Sequence, residues 1–306
     1  MKALHAHGKF LLTGEYFVLN GAQALAVPLS KGQHLSVESF PEGNSISWKS
    51  LDVNGRVWFE ATLSLPDLAI KECSDEAIAG RLQLLLRNAA SARPDFFSSQ
   101  KSYRVSTRLE FPREWGLGTS STLVWLVAKW LGVDPFELQF KTFGGSAYDI
   151  ACAGASAPLL YRLKGGRPEW QELSYSPPFA SQMWFVYLGR KQNSREEIAR
   201  FKQKGKPAST MIREVDMLTD RWLAAATVAD LQAVIADHEQ LVGSFLGREP
   251  VKKRLFSDFP GEVKSLGAWG GDFVLAVSDE PDEFVKAWFQ KKGYDICLNW
   301  SALVLH

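Results

Sequence analysis

The chain has 306 residues, 46% of them hydrophobic and 23% charged, enough apolar material for one large or two ordinary domains. Its 35 basic and 34 acidic side chains leave a formal net charge of +1, which argues against an extended nucleic-acid surface. The three cysteines (Cys73, Cys152 and Cys297) have no paired spacing, which argues against a disulfide framework or a structural zinc site and fits a reducing compartment. With no signal-peptide core at the start and no apolar run of bilayer length, the expectation is a cytoplasmic protein without a membrane partner.

His5 and His7 alternate on an opening strand, a spacing that could suit a metal, but no third ligand stands nearby in sequence and both are expected to be exposed polar positions. Two apolar runs then flank the turn signal Thr13-Gly14-Glu15, and Asn20-Gly21 is a strong hairpin dipeptide. Lys9 and Glu15 are the polar residues of this stretch. Taken alone they read as an exposed lysine and an edge glutamate. Residues 24–29 form a buried strand, and 34–65 read as short strands with turns at Pro41-Glu42-Gly43-Asn44 and Asn54-Gly55. A helix follows over 75–92, with Ile78, Leu82, Leu85, Leu86 and Ala89 on its inner face, and ends before Pro94.

The most informative stretch spans 103–132. Residues 103–111 alternate as a half-buried strand, with Tyr103, Val105, Thr107, Leu109 and Phe111 on one face. A helix stopping at Gly132 carries Leu123, Val124, Val127, Trp130 and Leu131 at helical spacing. Between them lie Gly116, Leu117, Gly118, Thr119, Ser120 and Ser121. The two glycines permit a sharp turn and close backbone approach, and the unpaired N–H groups and positive dipole end of the helix face the same place. That is an anion site suited to a nucleotide phosphate. The competing reading is a plain connection in which Thr119 or Ser120 merely caps the helix. It is neither a P-loop, since no Lys-Ser or Lys-Thr follows at the required spacing, nor a protein-kinase glycine loop.

Asp134-Pro135-Phe136-Glu137 is a helix start with N-cap, proline and acid in their usual places, so Glu137 reads as structural. A second glycine-rich turn, Gly144-Gly145-Ser146-Ala147, opens a short helix with Asp149 near its N-terminus, where the dipole favours the ionised form. A dipole complement and a catalytic carboxylate both remain open for it. Residues 158–163 form a strand, and Gly165-Gly166-Arg167-Pro168 reads as a domain boundary, giving domains 1–165 and 166–306. The second half holds a buried strand at 184–188, a capping box at Ser194-Arg195-Glu196-Glu197 and helices near 208–226 and 228–246. Lys252-Lys253-Arg254 reads as a solvated helix end. A third glycine-rich turn ending at Gly270-Gly271-Asp272 precedes a strand at 273–277, then an amphipathic helix at 281–292 and a closing strand at 294–300.

Three glycine-rich segments in this order resemble those of the GHMP kinases (galactokinase, homoserine kinase, mevalonate kinase and phosphomevalonate kinase), nearest the mevalonate and phosphomevalonate branch. Gly8-Lys9 through Gly14-Glu15-Tyr16 looks like the first motif, and Pro112 with the 116–121 segment like the phosphate loop. Gly145-Ser146-Ala147-Tyr148-Asp149 looks like the segment with the catalytic aspartate, and Gly267-Ala268-Trp269-Gly270-Gly271 like the third motif. The resemblance implies an α+β fold of two domains, the N-terminal with left-handed βαβ topology and the C-terminal ferredoxin-like. It implies ATP against the 116–120 loop, a small-molecule acceptor between the domains, and a monomer or homodimer.

It also implies roles. Asp149 would accept a proton or orient the attacking oxygen, and Lys9 would hold Asp149 ionised and stabilise the transferred charge. Gly116, Leu117, Gly118, Thr119, Ser120 and Ser121 would bind the phosphates, with the Ser120 hydroxyl on Mg2+. Glu15, Tyr16, Ser146, Gly270 and Gly271 would meet the acceptor. His7 stands where the family has proline. Gln139 stands where mevalonate kinases have a magnesium-binding glutamate, with Glu137 two residues away, which favours the phosphomevalonate pattern. Trp269 and Asp272 interrupt a motif that is otherwise glycine-rich, and a bulky Trp269 would reshape an acceptor pocket. The expected activity is phosphoryl transfer from ATP to mevalonate or phosphomevalonate. The alternatives are a homoserine or sugar kinase, or a regulatory relative that binds ATP without turnover.

Overall fold

A computed structural model of the chain describes residues 2–97, 100–190, 194–269 and 272–305, in two compact units. The first unit comprises residues 1–8, 31–113 and 117–154, the second 9–30, 114–116 and 155–306. The strands β1 (Lys2–Leu11) and β2 (Ala24–Phe40) each contribute residues to both units. β2 is one strand of 17 residues, where the sequence suggested a break after 29. The residues between the two strands also depart from expectation. Phe17–Asn20 form a 3-10 turn closed by Gly21 in the left-handed region, so Asn20-Gly21 ends a turn of helix instead of making a hairpin.

In the first unit the strand order is β5-β4-β3-β6-β2, with β3 (Ser45–Leu51), β4 (Val57–Ser64), β5 (Ile70–Cys73) and β6 (Ser102–Leu109). β3 and β6 are parallel, the other pairs antiparallel, and the crossover between β3 and β6 contains α1 (Glu76–Ala92). Alternation sends Leu35, Val37, Ile46, Trp48 and Val105 to one sheet face. They meet Leu82, Leu85 and Leu86 of α1 and Val124, Val127 and Leu131 of α2 (Thr119–Leu131) in one core. α3 (Pro135–Thr142) and α4 (Tyr148–Gly154) complete the layer. The start of α1 is set by Asp75, whose carboxylate accepts from the Ile78 N–H at 2.9 Å. Asp75→Ala is expected to lower stability by about 1 kcal/mol in urea titration, the usual loss of an N-cap.

In the second unit the first residues of β2 pair with β7 (Leu159–Lys164), which pairs with β8 (Arg167–Glu172). Gly165 and Gly166 are the turn of that hairpin, inside the unit. The remaining elements are β9 (Met183–Tyr187), α5 (Ser194–Gln203), α6 (Ser209–Ala224), α7 (Val228–Leu246), α8 (Val251–Leu255), β10 (Glu262–Ser265), β11 (Phe273–Val277), α9 (Asp282–Lys291), β12 (Cys297–Asn299) and α10 (Trp300–Leu303). Their sheet runs β10-β11-β9-β12, antiparallel throughout, which is the strand order of a ferredoxin-like layer. One face buries Trp184, Val186, Val263, Val274 and Ala276 under Val251 of α8 and Val285 and Phe289 of α9. Lys252 departs from the solvated helix end expected of it, since its ammonium donates to the Gly261 carbonyl at 2.6 Å. Trp300 opens α10 and does not extend β12. No helix among the described residues is long and apolar enough to cross a membrane.

Candidate active site

The chain leaves β6 at Leu109, makes a 3-10 turn over Arg113–Trp115 and reaches Gly116 and Gly118, both in the left-handed region (φ +69° and +106°). Gly118, not Thr119 or Ser120, is the N-cap of α2. A glycine has no side chain to close off the first N–H groups, which leaves them to an anion. The Ser121 hydroxyl turns back to the Gly118 carbonyl at 2.9 Å, and the Thr122 hydroxyl donates to buried Gln33 at 2.6 Å. Ser120 is exposed on the first turn, and Leu117 is buried.

Within the second unit, half-buried Lys9 on β1 donates from Nζ to the Gly116 carbonyl at 3.2 Å. Trp115 packs edge-on to Phe273, and the Tyr187 hydroxyl donates to the Glu114 carbonyl at 3.2 Å, so residues 114–116 are fixed from several sides. A Cβ at Gly116 would lie 2.6 Å from Asp272 Oδ2. Gly116→Ala is therefore expected to destabilise by about 2 kcal/mol in urea, against about 1 kcal/mol for Gly55→Ala. Gly55 has the same backbone hand (φ +78°) but open space around it, so it isolates the contact with Asp272.

Asp149 lies in the first turn of α4, half-buried, after Ala147 at φ +60°. Its carboxylate accepts from the Ile150 N–H at 3.1 Å. Ser146, on the turn before α4, is buried. α4 packs on α2 closely enough that a Cβ at Gly154 would lie 2.5 Å from the Trp125 ring nitrogen. The preceding glycine turn is held by Gln139, whose buried amide donates to the Gly144 carbonyl at 2.8 Å. Glu137 faces outward, 3.5 Å from the Lys141 ammonium, with its N–H on the Asp134 cap.

Glu15 is fully buried, not at an edge. It pairs with the equally buried Lys264, and its other oxygen lies 3.3 Å from His238 Nε2. Burial pushes the Glu15 carboxyl up to about 7 even though Lys264 pulls it down. Burial, reinforced by Lys264, drives the His238 imidazole well below its ordinary value, and its Nε2 accepts from the Gly14 N–H at 3.2 Å. Beside it Glu239 accepts from the N–H and hydroxyl of Ser265, each at 3.0 Å. Tyr16 (φ 63°) is buried in an apolar cluster with Phe17, Phe201, Val242 and Trp269, and its ring stacks on Phe201 at 5.2 Å. Trp269 thus packs into the second unit's core, and Arg248 donates to its carbonyl at 3.3 Å. Gly270 and Gly271 lie outside the described residues.

Lys264, His238 and Glu239 escape a reading of the sequence for motifs. For the latter two a signal existed: they share the i, i+3, i+4 stripe of α7 with Leu231, Val234, Ile235 and Val242, and a His-Glu pair on an apolar stripe points to a buried polar network. Lys264 offers none, since one lysine in a four-residue strand is unremarkable until its neighbours are known.

The architecture is the two-domain α+β fold of the GHMP kinases. Among solved structures, the chain is similar to phosphomevalonate kinase of Streptococcus pneumoniae in complex with phosphomevalonate and AMPPNP, with a TM-score of 0.72, 16% identity and coverage of 98% of this chain and 100% of that one. It is similar to mevalonate kinase of Methanococcus jannaschii (TM-score 0.72, 14% identity, 100% and 98% coverage). It is also similar to Lactococcus lactis galactokinase complexed with galactose (TM-score 0.69, 12% identity, 100% and 95% coverage). No family model and no curated protein matches the sequence.

Proposed function

We propose that the chain is an ATP- and Mg2+-dependent kinase that transfers the γ-phosphoryl group to mevalonate or phosphomevalonate. The observation that supports this most is the left-handed Gly116 and Gly118 turn, which delivers α2 without a side-chain cap. Its N–H groups offer a cradle for the β- and γ-phosphates, in a fold shared with kinases. In this reading Leu117, buried under the turn, keeps the loop in shape. Lys9, tied to the Gly116 carbonyl, brings a cation to that loop. Ser120, exposed on the first turn with an oxygen suited to a hard cation, would hold Mg2+. That ion, when bound, neutralises charge on the phosphates.

The acceptor oxygen attacks the γ-phosphorus, the bond to the β-bridging oxygen breaks, and ADP leaves. With mevalonate the attacking hydroxyl must lose a proton, and Asp149 is the assigned acceptor. With phosphomevalonate the attacking oxygen is already anionic, and Asp149 orients the acceptor. Ser146, buried and three residues earlier in the chain, is assigned to the acceptor side, as are Glu15 and Tyr16 through the backbone that they anchor.

Release of ADP, followed with MgATP and in turn mevalonate, phosphomevalonate, homoserine and galactose, tests the assignment. Turnover with mevalonate or phosphomevalonate is expected. ADP with homoserine or galactose alone would replace the acceptor, and ATP binding without ADP from any of them would leave a regulatory protein.

A further inference from the structure

In the first unit, His5 of β1, His34 of β2 and Glu110, one residue past β6, come together although the sequence separates them widely. Glu110 Oε2 lies 3.0 Å from His5 Nε2, and Oε1 lies 2.9 Å from His34 Nε2. The two imidazole centroids are 4.6 Å apart, and the three ligand atoms all lie within 4.8 Å of one another. The third ligand that the sequence around His5 and His7 did not offer thus comes from other strands.

We infer that this cluster is a binding site for a divalent transition ion of the zinc class, held by Nε2 of His5, Nε2 of His34 and the Glu110 carboxylate. The donor set decides the class of ion: two imidazoles and one carboxylate suit zinc and its neighbours, whereas magnesium and calcium take oxygen. The spacing also fits. Tetrahedral zinc with bonds of about 2.0–2.1 Å sets its ligand atoms roughly 3.3 Å apart; the two imidazole–carboxylate contacts, 3.0 and 2.9 Å, are already near that, and the widest separation, within 4.8 Å, can close by a swing of the exposed His34 ring. Each imidazole faces the carboxylate through Nε2; an ion taken there would leave each neutral ring with its proton on Nδ1.

The site has its own support. The Gly32 N–H donates to Glu110 Oε2 at 2.7 Å and orients the carboxylate. A Cβ at Gly32 would run into the Ala6 carbonyl, so β1 and β2 are pressed together beside His5 and fix where that ring stands. His34 is exposed, which gives an ion a route in from solvent. Three protein ligands leave a fourth position for water or an anion. The ion would tie three strands together immediately before the glycine turn, whichever acceptor the chain uses.

The test is titration of the tag-free full chain with Co2+, read by the visible d–d absorption of a tetrahedral site, followed by competition with Zn2+. One Co2+ per chain, displaced by Zn2+, is expected, with a rise in melting temperature of about 5 °C when Zn2+ is well in excess of its dissociation constant. His34→Gln and Glu110→Gln, each checked for folding by circular dichroism, should each weaken binding about tenfold or more. His34 is exposed, so its variant keeps the test decisive if the Glu110 variant fails to fold. Absence of a one-to-one Co2+ complex, or affinity unchanged in His34→Gln, would overturn the site.

Discussion

With mevalonate as acceptor, Asp149→Asn is expected to lower turnover by about 10²–10⁴-fold while the dissociation constant for ATP stays within a factor of two or so of the parent. Asparagine keeps the shape of the side chain and an oxygen to accept the Ile150 N–H, so the short helix α4 and its packing on α2 should survive. What is lost is the negative charge and the ability to take a proton. If Asp149 only complemented the dipole of its seven-residue helix, the change would cost a few tenths of a kcal/mol of stability and leave the rate alone. Steady-state kinetics with equilibrium nucleotide binding separate the two. Parent rates in the variant would refute the role, and equal losses of rate and ATP affinity would place Asp149 in nucleotide binding.

The second large effect concerns the buried charges behind the first glycine motif. Lys264→Met is expected to cost about 3 kcal/mol or more at pH 8, because it strands buried carboxylates without their cation. Glu15 Oε2 faces His238 without a hydrogen bond and Glu239 accepts from the N–H and hydroxyl of Ser265, so neither His238 nor Ser265 supplies a compensating charge.

The loss should shrink toward pH 5. Burial raises the Glu15 carboxyl from its ordinary 4.5 to about 7. Its contribution to stability is therefore fully present below 4.5 and lost as the pH rises through 7. In acid a proton takes the place of the missing ammonium. His238 titrates with the opposite sign, since its lowered pKa makes it destabilising only as the pH falls below its ordinary 6.5; burial, the larger cause, acts in both proteins, and loss of Lys264 eases the rest in the variant, which also shrinks the difference in acid. Urea titration of parent and variant at the two pH values checks this. An equal loss at both, or one under about 1 kcal/mol, would show that the pair is not a strongly coupled buried unit.

Local pattern made the centre of this fold legible. The alternation over 103–111 and the stripe from Leu123 to Leu131 are periodic, and α2 follows its stripe closely while β6 ends two residues early, at Leu109. The cap at Asp134 is legible too, its side chain and N–H partner lying three residues apart, whereas Asp75, expected as the first helical residue, is the N-cap of α1. What escaped is long-range. The extent of β2 past residue 29 depends on pairing of Gln33–Phe40 with β6, a contact between segments about seventy residues apart. Val18 and Leu19 look like strand, but the turn between Gly14 and Gly21 folds them into a 3-10 element. Glu15 looked peripheral because its partners lie more than two hundred residues away. His5 looked solitary for the same reason: His34 and Glu110 join it only once β1, β2 and β6 are assembled.

Incubation with γ-32P-labelled ATP and Mg2+, with mevalonate and phosphomevalonate in turn, asks directly where the phosphoryl group goes. Label is expected in one acceptor, in step with ADP and lost in Asp149→Asn. Label that stays in ATP, or appears only as inorganic phosphate, would contradict it.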